Sequence, residues 1–183
     1  MYKLSFQRGD AWVEHSHPPE YREETLSGGT VRIVAGVPAG DSTVIRTLAA
    51  ELPAPFFLLY VLHTPRGEGE PGRYQSPEMD HAQLDSFLAE YGALLSGDSR
   101  HDFWIYAPDV PATIVWDRHN LLYAYGPLDD FTRALRALGF REGDPNVAFD
   151  HIHHYRKEFD VAAASLLSAL AWVHSPLRSQ DEQ

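Results

Sequence analysis

Two histidines in the C-terminal third of the chain have the spacing of metal ligands on a β-strand. In the run DHIHH at residues 150–154, His151 and His153 share one face if the run is extended. Imidazoles two residues apart on a strand lie about 7 Å from one another, so they can chelate zinc or a similar divalent ion when a third ligand joins them. We therefore treat both as candidate metal ligands, although an edge strand with a polar outer face would look the same.

His15 and His17, near the N-terminus, are the candidates for the missing ligands. Nothing in the sequence shows that this segment meets residues 150–154, and a solvated histidine pair in a loop is the alternative. We expect no resident cofactor, with a divalent metal ion as the other possibility. A histidine cluster could also sense pH near neutrality.

The segment around His15 and His17 resembles a fragment of the cupin signature, in which two histidines, a glutamate and a later histidine bind a metal ion inside a β-barrel. The matching residues are the two histidines, Gly9, Gly28 and the sequence PAG at residues 38–40. The spacing departs from that signature, because Glu20 is too early, Glu23 too late, and Thr43 stands where the later histidine belongs. We therefore assign no family.

The polar sequence WDRHN at residues 116–120 separates two apolar runs. Asp117 and His119 are residue types found in catalytic pairs, but neighbours on a turn seldom point at one another, and no activated serine or cysteine can be assigned. Asp and Asn are also what a tight turn requires, so we predict a turn here. Tyr123 and Tyr125 follow on one strand face and are candidate ligand contacts, or else half-buried sheet residues.

A glycine-rich loop, GEGEPG at residues 67–72, matches the letters of a dinucleotide-binding fingerprint. Its proline removes a backbone N–H, and its two glutamates would repel a pyrophosphate. We predict instead a mobile surface loop from Arg66 to Gln75 that binds no nucleotide. The candidate contacts of this loop with another ligand are Arg66, Arg73 and Tyr74.

The composition of the 183 residues limits the classes of function that the protein can have. With 26 acidic and 15 basic residues the net charge is −11, which argues against a nucleic-acid partner. The chain has no cysteine, so disulfides, zinc–thiolate sites and cysteine nucleophiles are excluded, which fits a reducing cytoplasm. It starts without a signal-peptide pattern, and no stretch approaches the roughly 18 apolar residues of a membrane span. We expect a cytoplasmic protein without membrane contact.

Hydrophobic periodicity predicts the elements that must position these side chains. Residues 102–125 contain three short strands separated by turns, followed by a helix in which Leu128, Phe131 and Leu135 recur at helical spacing. Further strands are predicted at residues 30–35, 55–62 and 147–155, and further helices at residues 42–52, 76–97 and 158–174. The prediction is a single α+β domain over residues 30–174, with a largely antiparallel sheet, a three-stranded meander and helices mainly on one face. Residues 1–29 are predicted to be irregular and residues 175–183 to be disordered.

Two functions fit these signals. The first is a non-catalytic domain that binds a protein or a small ligand, supported by the acidic charge and the aromatic-rich sheet. The second is a metal-dependent enzyme of hydrolase type, with His151 and His153 as ligands and Asp150 as base. We also predict a homodimer through the helix at residues 158–174, because Trp172 would otherwise leave a large apolar surface in water.

Overall fold

The computed structural model describes residues 2–181, which contain twelve β-strands and four α-helices. The strands are β1 (Leu4–Arg8), β2 (Ala11–Glu14), β3 (Glu20–Thr25), β4 (Val31–Gly36), β5 (Phe57–Leu62), β6 (Gly72–Gln75), β7 (His101–Ala107), β8 (Ala112–Trp116), β9 (Leu121–Tyr125), β10 (Arg141–Glu142), β11 (His151–His153) and β12 (Val173–Ser175). The helices are α1 (Thr43–Ala50), α2 (His81–Gly97), α3 (Leu128–Ala137) and α4 (Asp160–Ala169). None of these helices is long and apolar enough to cross a bilayer.

Most strands belong to one sheet of nine, in the order β10-β3-β4-β9-β8-β7-β5-β6-β12. Its pairs are antiparallel, apart from the short parallel pairing of β10 with β3. Strands β7, β8 and β9 form a meander, with Ile105 opposite Ile114 and Ile114 opposite Ala124. The predicted α+β class, antiparallel sheet and meander are therefore confirmed.

The hydrophobic core combines side chains of all four helices with one set of alternating strand residues. In β7, Phe103 and Ile105 belong to this core and are fully buried, whereas Trp104 between them lies on the opposite face of the sheet and is only partly buried. Leu135 of α3 is also completely buried, as its position in the predicted apolar stripe requires. The face that carries Trp104 contributes no strand side chain to this cluster.

The N-terminal segment is not irregular, so this prediction was wrong. Strands β1 and β2 form a hairpin whose turn uses Gly9 at φ +62, a left-handed conformation that glycine adopts without strain. Strand β1 also pairs with β11, which gives a second sheet in the order β11-β1-β2. Strand β3 joins the large sheet beside β4. The domain therefore begins well before residue 30, while Met1 lies outside the described residues.

The C-terminal segment also differs from the prediction. Helix α4 stops at Ala169, and β12 pairs with β6. Asp181 is buried and forms an ion pair with Arg73, so residues 175–181 are held against the domain. Residues 182 and 183 of the predicted disordered tail lie outside the described residues. Trp172, which follows α4, packs against Phe87 of its own chain at 6.1 Å between ring centroids and donates a hydrogen bond to the Leu166 carbonyl at 2.9 Å.

This placement of Trp172 removes the reason for predicting a homodimer, because the side chain is partly covered within its own chain. The homodimer itself stays a prediction.

Candidate metal centre and adjacent cavity

Three histidines from two different sheets meet at one point. Strand β11 pairs antiparallel with β1, so that His151 lies opposite Phe6 and His153 opposite Leu4, with both imidazoles on the same face. The turn between β8 and β9 brings His119 to them. One ring nitrogen of each of the three histidines lies within 4.8 Å of the others. We call His119, His151 and His153 the histidine triad.

His119 is oriented by the turn that contains it. The Asp117 carboxylate accepts the backbone N–H groups of His119 and Leu121, each at 2.8 Å, and closes the turn. Its second oxygen accepts the Nδ1–H of His119 at 2.8 Å, because a carboxylate can only accept. The proton on Nδ1 leaves Nε2 with a free lone pair. Histidines that bind a metal ion through one ring nitrogen usually donate the N–H of the other to such a carboxylate.

The other two imidazoles of the histidine triad also have a ring nitrogen that is available to bind an ion. The Nδ1–H of His151 donates to the Phe149 carbonyl at 2.9 Å, so its Nε2 carries the lone pair. The Nε2 of His153 is buried and has no hydrogen-bond partner within residues 2–181. A buried polar atom without a partner is costly, and a ligand at this point would satisfy it.

Burial keeps the imidazole of His153 uncharged near neutral pH. Desolvation lowers the pKa of His153 to about 4, and the nearby charges of His119 and Arg118 act in the same direction. For Asp117, burial alone would raise the pKa, but the hydrogen bonds from His119 and from the Leu121 backbone outweigh it and the pKa is lowered. Near neutral pH, His153 is thus an uncharged imidazole and Asp117 an anion, which are the forms that a metal centre uses.

His15 and His17 lie beside the histidine triad and are not members of it. The Nε2–H of His17 donates to the carbonyl of His119 at 2.9 Å, while Nε2 of His15 lies 3.4 Å from Nδ1 of His17. The ring of His15 packs against Phe149 at 4.7 Å between centroids. Burial lowers the pKa of His15 to about 4 and also lowers that of His17. The two N-terminal histidines thus support the turn that carries His119.

The donor set suits zinc or a similar divalent transition metal. Three imidazoles with one open position are a known ligand set of catalytic zinc, and Zn–N bonds of about 2.0–2.1 Å in a tetrahedron put the nitrogens roughly 3.3 Å apart. The nitrogens of the histidine triad, within 4.8 Å of one another, need only small side-chain rotations to reach that spacing. Asp150, the predicted base, has an exposed side chain and is not among the residues grouped at this point.

A cavity of about 680 Å³ opens beside the histidine triad on the sheet face that carries Trp104. This volume lies within the range of about 300–1,000 Å³ that is typical of small-molecule sites. His119 contributes to its wall. The other lining residues are Arg32, Asp102, Trp104, Thr113, Val115, Asp117, Arg118, Tyr123, Tyr125, Val147, Gln180 and Asp181.

Tyr123 and Tyr125, the two tyrosines predicted as ligand contacts, both line this cavity. The guanidinium of Arg32 lies 4.3 Å from the centroid of the Tyr123 ring and donates a hydrogen bond to the Tyr125 hydroxyl at 2.7 Å. Arg32 is also paired with Glu24, whose carboxylate accepts its Nε–H at 2.7 Å. The tyrosines therefore form a wall that is fixed by an arginine on the neighbouring strand.

The other three predicted contacts, from the glycine-rich loop, do not line the cavity. Arg66 pairs with Asp160 at 3.0 Å, buried Arg73 pairs with Asp181, and the Tyr74 hydroxyl donates to the Glu70 carbonyl at 2.7 Å.

The prediction of a mobile loop from Arg66 to Gln75 does not agree with the structure. Residues Gly72–Gln75 are strand β6 in the large sheet. The side chain of Glu68 is almost completely buried and accepts a hydrogen bond from Arg100 at 3.0 Å. Arg100 is itself fully buried and also binds Asp98 through two hydrogen bonds of 2.9 Å. A loop tied to a buried arginine is part of the structural framework.

His119 is the member of the histidine triad that sequence reasoning missed, because Asp117 and Asn120 explained the segment as a turn. Both explanations hold at once, since Asp117 closes the turn and orients the imidazole. The available signal was the position of the turn between two strands of a predicted meander, where His119 is displayed at the end of the sheet.

Comparison with known proteins finds no matching protein family, no similar curated protein and no similar solved structure.

Proposed function

We propose that the protein binds a divalent transition metal ion through the histidine triad and uses it in hydrolysis of a small molecule held in the adjacent cavity. The observation that carries this proposal is the convergence of three imidazole nitrogens within 4.8 Å of one another, one of them from His119, which also lines a cavity of about 680 Å³. Zinc is the ion that fits best, because the ligands are all nitrogens and three in number.

Each side chain around the site has a distinct role in this proposal. His119, His151 and His153 bind the ion, and Asp117 fixes the tautomer and direction of His119. When bound, a zinc ion of this type lowers the pKa of its water to about 7 and so supplies a nucleophile at neutral pH. The cavity holds the substrate next to that position.

A second candidate is non-catalytic binding of a small ligand in the same cavity. Asp102 and Asp117 are the carboxylates that line the cavity nearest to His119, and both are engaged. Asp102 accepts the backbone N–H of Arg118 at 2.8 Å and lies 3.0 Å from Nε2 of His63. This leaves neither of the two free to act as general base, an arrangement that favours binding over catalysis.

Cobalt titration tests the metal site. The metal-free protein should bind one Co²⁺ and develop the visible absorption of a tetrahedral ion, and His151→Ala or His153→Ala should abolish it. His81→Ala is the matched control, because His81 is an exposed histidine at the start of α2. Absence of the spectrum in the wild type, or its persistence in the triad variants, would refute the metal site.

Hydrolysis separates the two candidate functions. The zinc-loaded protein should cleave 4-nitrophenyl acetate faster than the His153→Ala variant at the same zinc concentration. Equal rates from a protein that does bind the ion would leave non-catalytic binding as the function of the cavity.

A further inference from the structure

Arg118 is a cation in the cavity wall whose side chain has no partner among residues 2–181. Its backbone is fixed, because its N–H donates to Asp102 at 2.8 Å and its carbonyl accepts the Ser99 hydroxyl at 3.1 Å. Its guanidinium, by contrast, makes no hydrogen bond or ion pair with any residue between 2 and 181. Arg118 lines the cavity together with His119 of the histidine triad, its neighbour in the chain.

The carboxylates that line the cavity are all occupied by other groups. Asp102 lies 3.0 Å from Nε2 of His63, Asp117 binds His119, and Asp181 pairs with Arg73. Arg32, the other arginine that lines the cavity, is paired with Glu24 and is therefore not free to bind a ligand. Arg118 is therefore the cavity's unsatisfied charge, although the protein as a whole carries −11.

We infer that Arg118 binds the carboxylate of a small organic acid whose apolar part lies against Trp104, Val115, Val147 and Tyr123. A guanidinium presents two parallel N–H donors that match a carboxylate. In the metal-free protein, a phosphate monoester, with a charge of about −1.5 to −2 at neutral pH, would need a second free cation, which the described cavity wall does not offer. The apolar side chains of Trp104, Val115 and Val147 favour a ligand with an apolar part, because polar groups placed against them would lose their hydrogen-bond partners.

The position of Arg118 also indicates which end of the acid lies near the histidine triad. Arg118 lies between Asp117 and His119 in the chain and lines the cavity with both, so we place a carboxylate bound by it at the triad end of the cavity. The substrate class is then a carboxylate whose scissile bond lies within a few atoms of the acid group. This role as a substrate rests on the proposed function, whereas the binding of the carboxylate does not depend on it.

Calorimetric titration with benzoate, benzamide and inorganic phosphate tests the inference on the full chain, both metal-free and zinc-loaded. We expect benzoate to bind and neutral benzamide to bind at least about tenfold more weakly, because the charge-assisted hydrogen bonds are lost. Arg118→Gln should weaken benzoate by about tenfold or more, and Arg46→Gln should not. Arg46 is the matched control, since it lies on α1 in an exposed pair with Asp85.

Three results would overturn the inference. They are equal binding of benzoate and benzamide to the wild type, no binding of benzoate to either form, and tighter Arg118-dependent binding of phosphate. The wild-type comparison holds even if Arg118→Gln fails to fold. Arg118-dependent benzoate binding by a protein that binds no metal would refute the proposed function and leave the carboxylate site intact.

Discussion

Replacing Asp117 by asparagine tests whether one carboxylate determines the metal-binding form of His119. The Asp117 carboxylate accepts three hydrogen bonds, two from backbone N–H groups and one from Nδ1 of His119. Asparagine keeps a carbonyl oxygen for the two backbone donors but presents an NH₂ group to Nδ1. The imidazole then favours the tautomer with its proton on Nε2, which cannot bind a metal.

The expected losses of metal affinity and of unfolding free energy follow from the hydrogen bonds of Asp117. Loss of a carboxylate that is hydrogen-bonded to a metal-binding histidine weakens metal affinity about 10–100-fold, which is about 1.4–2.8 kcal/mol of binding free energy. The metal-free protein should lose about 1.5–3 kcal/mol of unfolding free energy, because one charge-assisted hydrogen bond disappears. Competition for Zn²⁺ with a chromophoric chelator measures the first quantity, and urea denaturation measures the second.

Asp102→Asn is the control for charge alone. Asp102 lines the same cavity, but its hydrogen bonds go to His63 and to the backbone of Arg118. We expect a smaller loss of Zn²⁺ affinity in this variant than in Asp117→Asn. Affinity within a factor of three of the wild type in Asp117→Asn, or equal losses in the two variants, would refute the role assigned to the Asp117–His119 hydrogen bond.

Three further predictions concern stability. Leu135→Ala should cost about 2–5 kcal/mol in urea denaturation, since Leu135 is completely buried in the core, and a loss below about half a kilocalorie would contradict that placement. Because burial depresses the folded-state pKa of His15 and His153 to about 4, the unfolded metal-free chain binds more protons between pH 6.5 and 4. Stability should therefore be retained above pH 6.5 and fall as the pH is lowered towards 4, and a flat profile measured by thermal melting would argue against these buried imidazoles. Glu68→Ala should cost about 3 kcal/mol, the low end for breaking a buried ion pair, because Arg100 keeps its two other carboxylate partners, Asp98 and Asp160; a neutral effect would restore the view of residues 66–71 as a mobile loop.

Local patterns predicted those parts of the fold in which neighbours in sequence are also neighbours in space. The meander β7-β8-β9 and the helix that follows it are of this kind, since turns and apolar periodicity determine them together. The hairpin β1-β2 was missed because its strands have only five and four residues, too few for the alternation of Leu4 and Phe6 with polar residues to indicate a strand. Its pairing with β11 joins positions about 150 residues apart, as for Leu4 and His153.

The candidate metal ligands show the same difference between local sequence patterns and long-range packing. His151 and His153 were identified from their spacing along one strand, which is a local property. His119 joins them through the packing of the small sheet against the end of the large one, and no local pattern encodes that contact. His15 and His17 were predicted as candidates for the remaining ligands. They lie beside the histidine triad, but the Nε2–H of His17 donates to the backbone carbonyl of His119.

The histidine triad joins two sheets that share no strand. His119 belongs to the turn at the end of the nine-stranded sheet, whereas His151 and His153 belong to the three-stranded sheet formed with the N-terminal hairpin. An ion bound by all three would act as a cross-link between these sheets. Ion binding and attachment of the hairpin are then thermodynamically coupled, and an ion at 100 times its dissociation constant would stabilise the closed arrangement by about 2.7 kcal/mol. How firmly the N-terminal strands are attached would then depend on whether the ion is bound, although these strands contribute no ligand to its site.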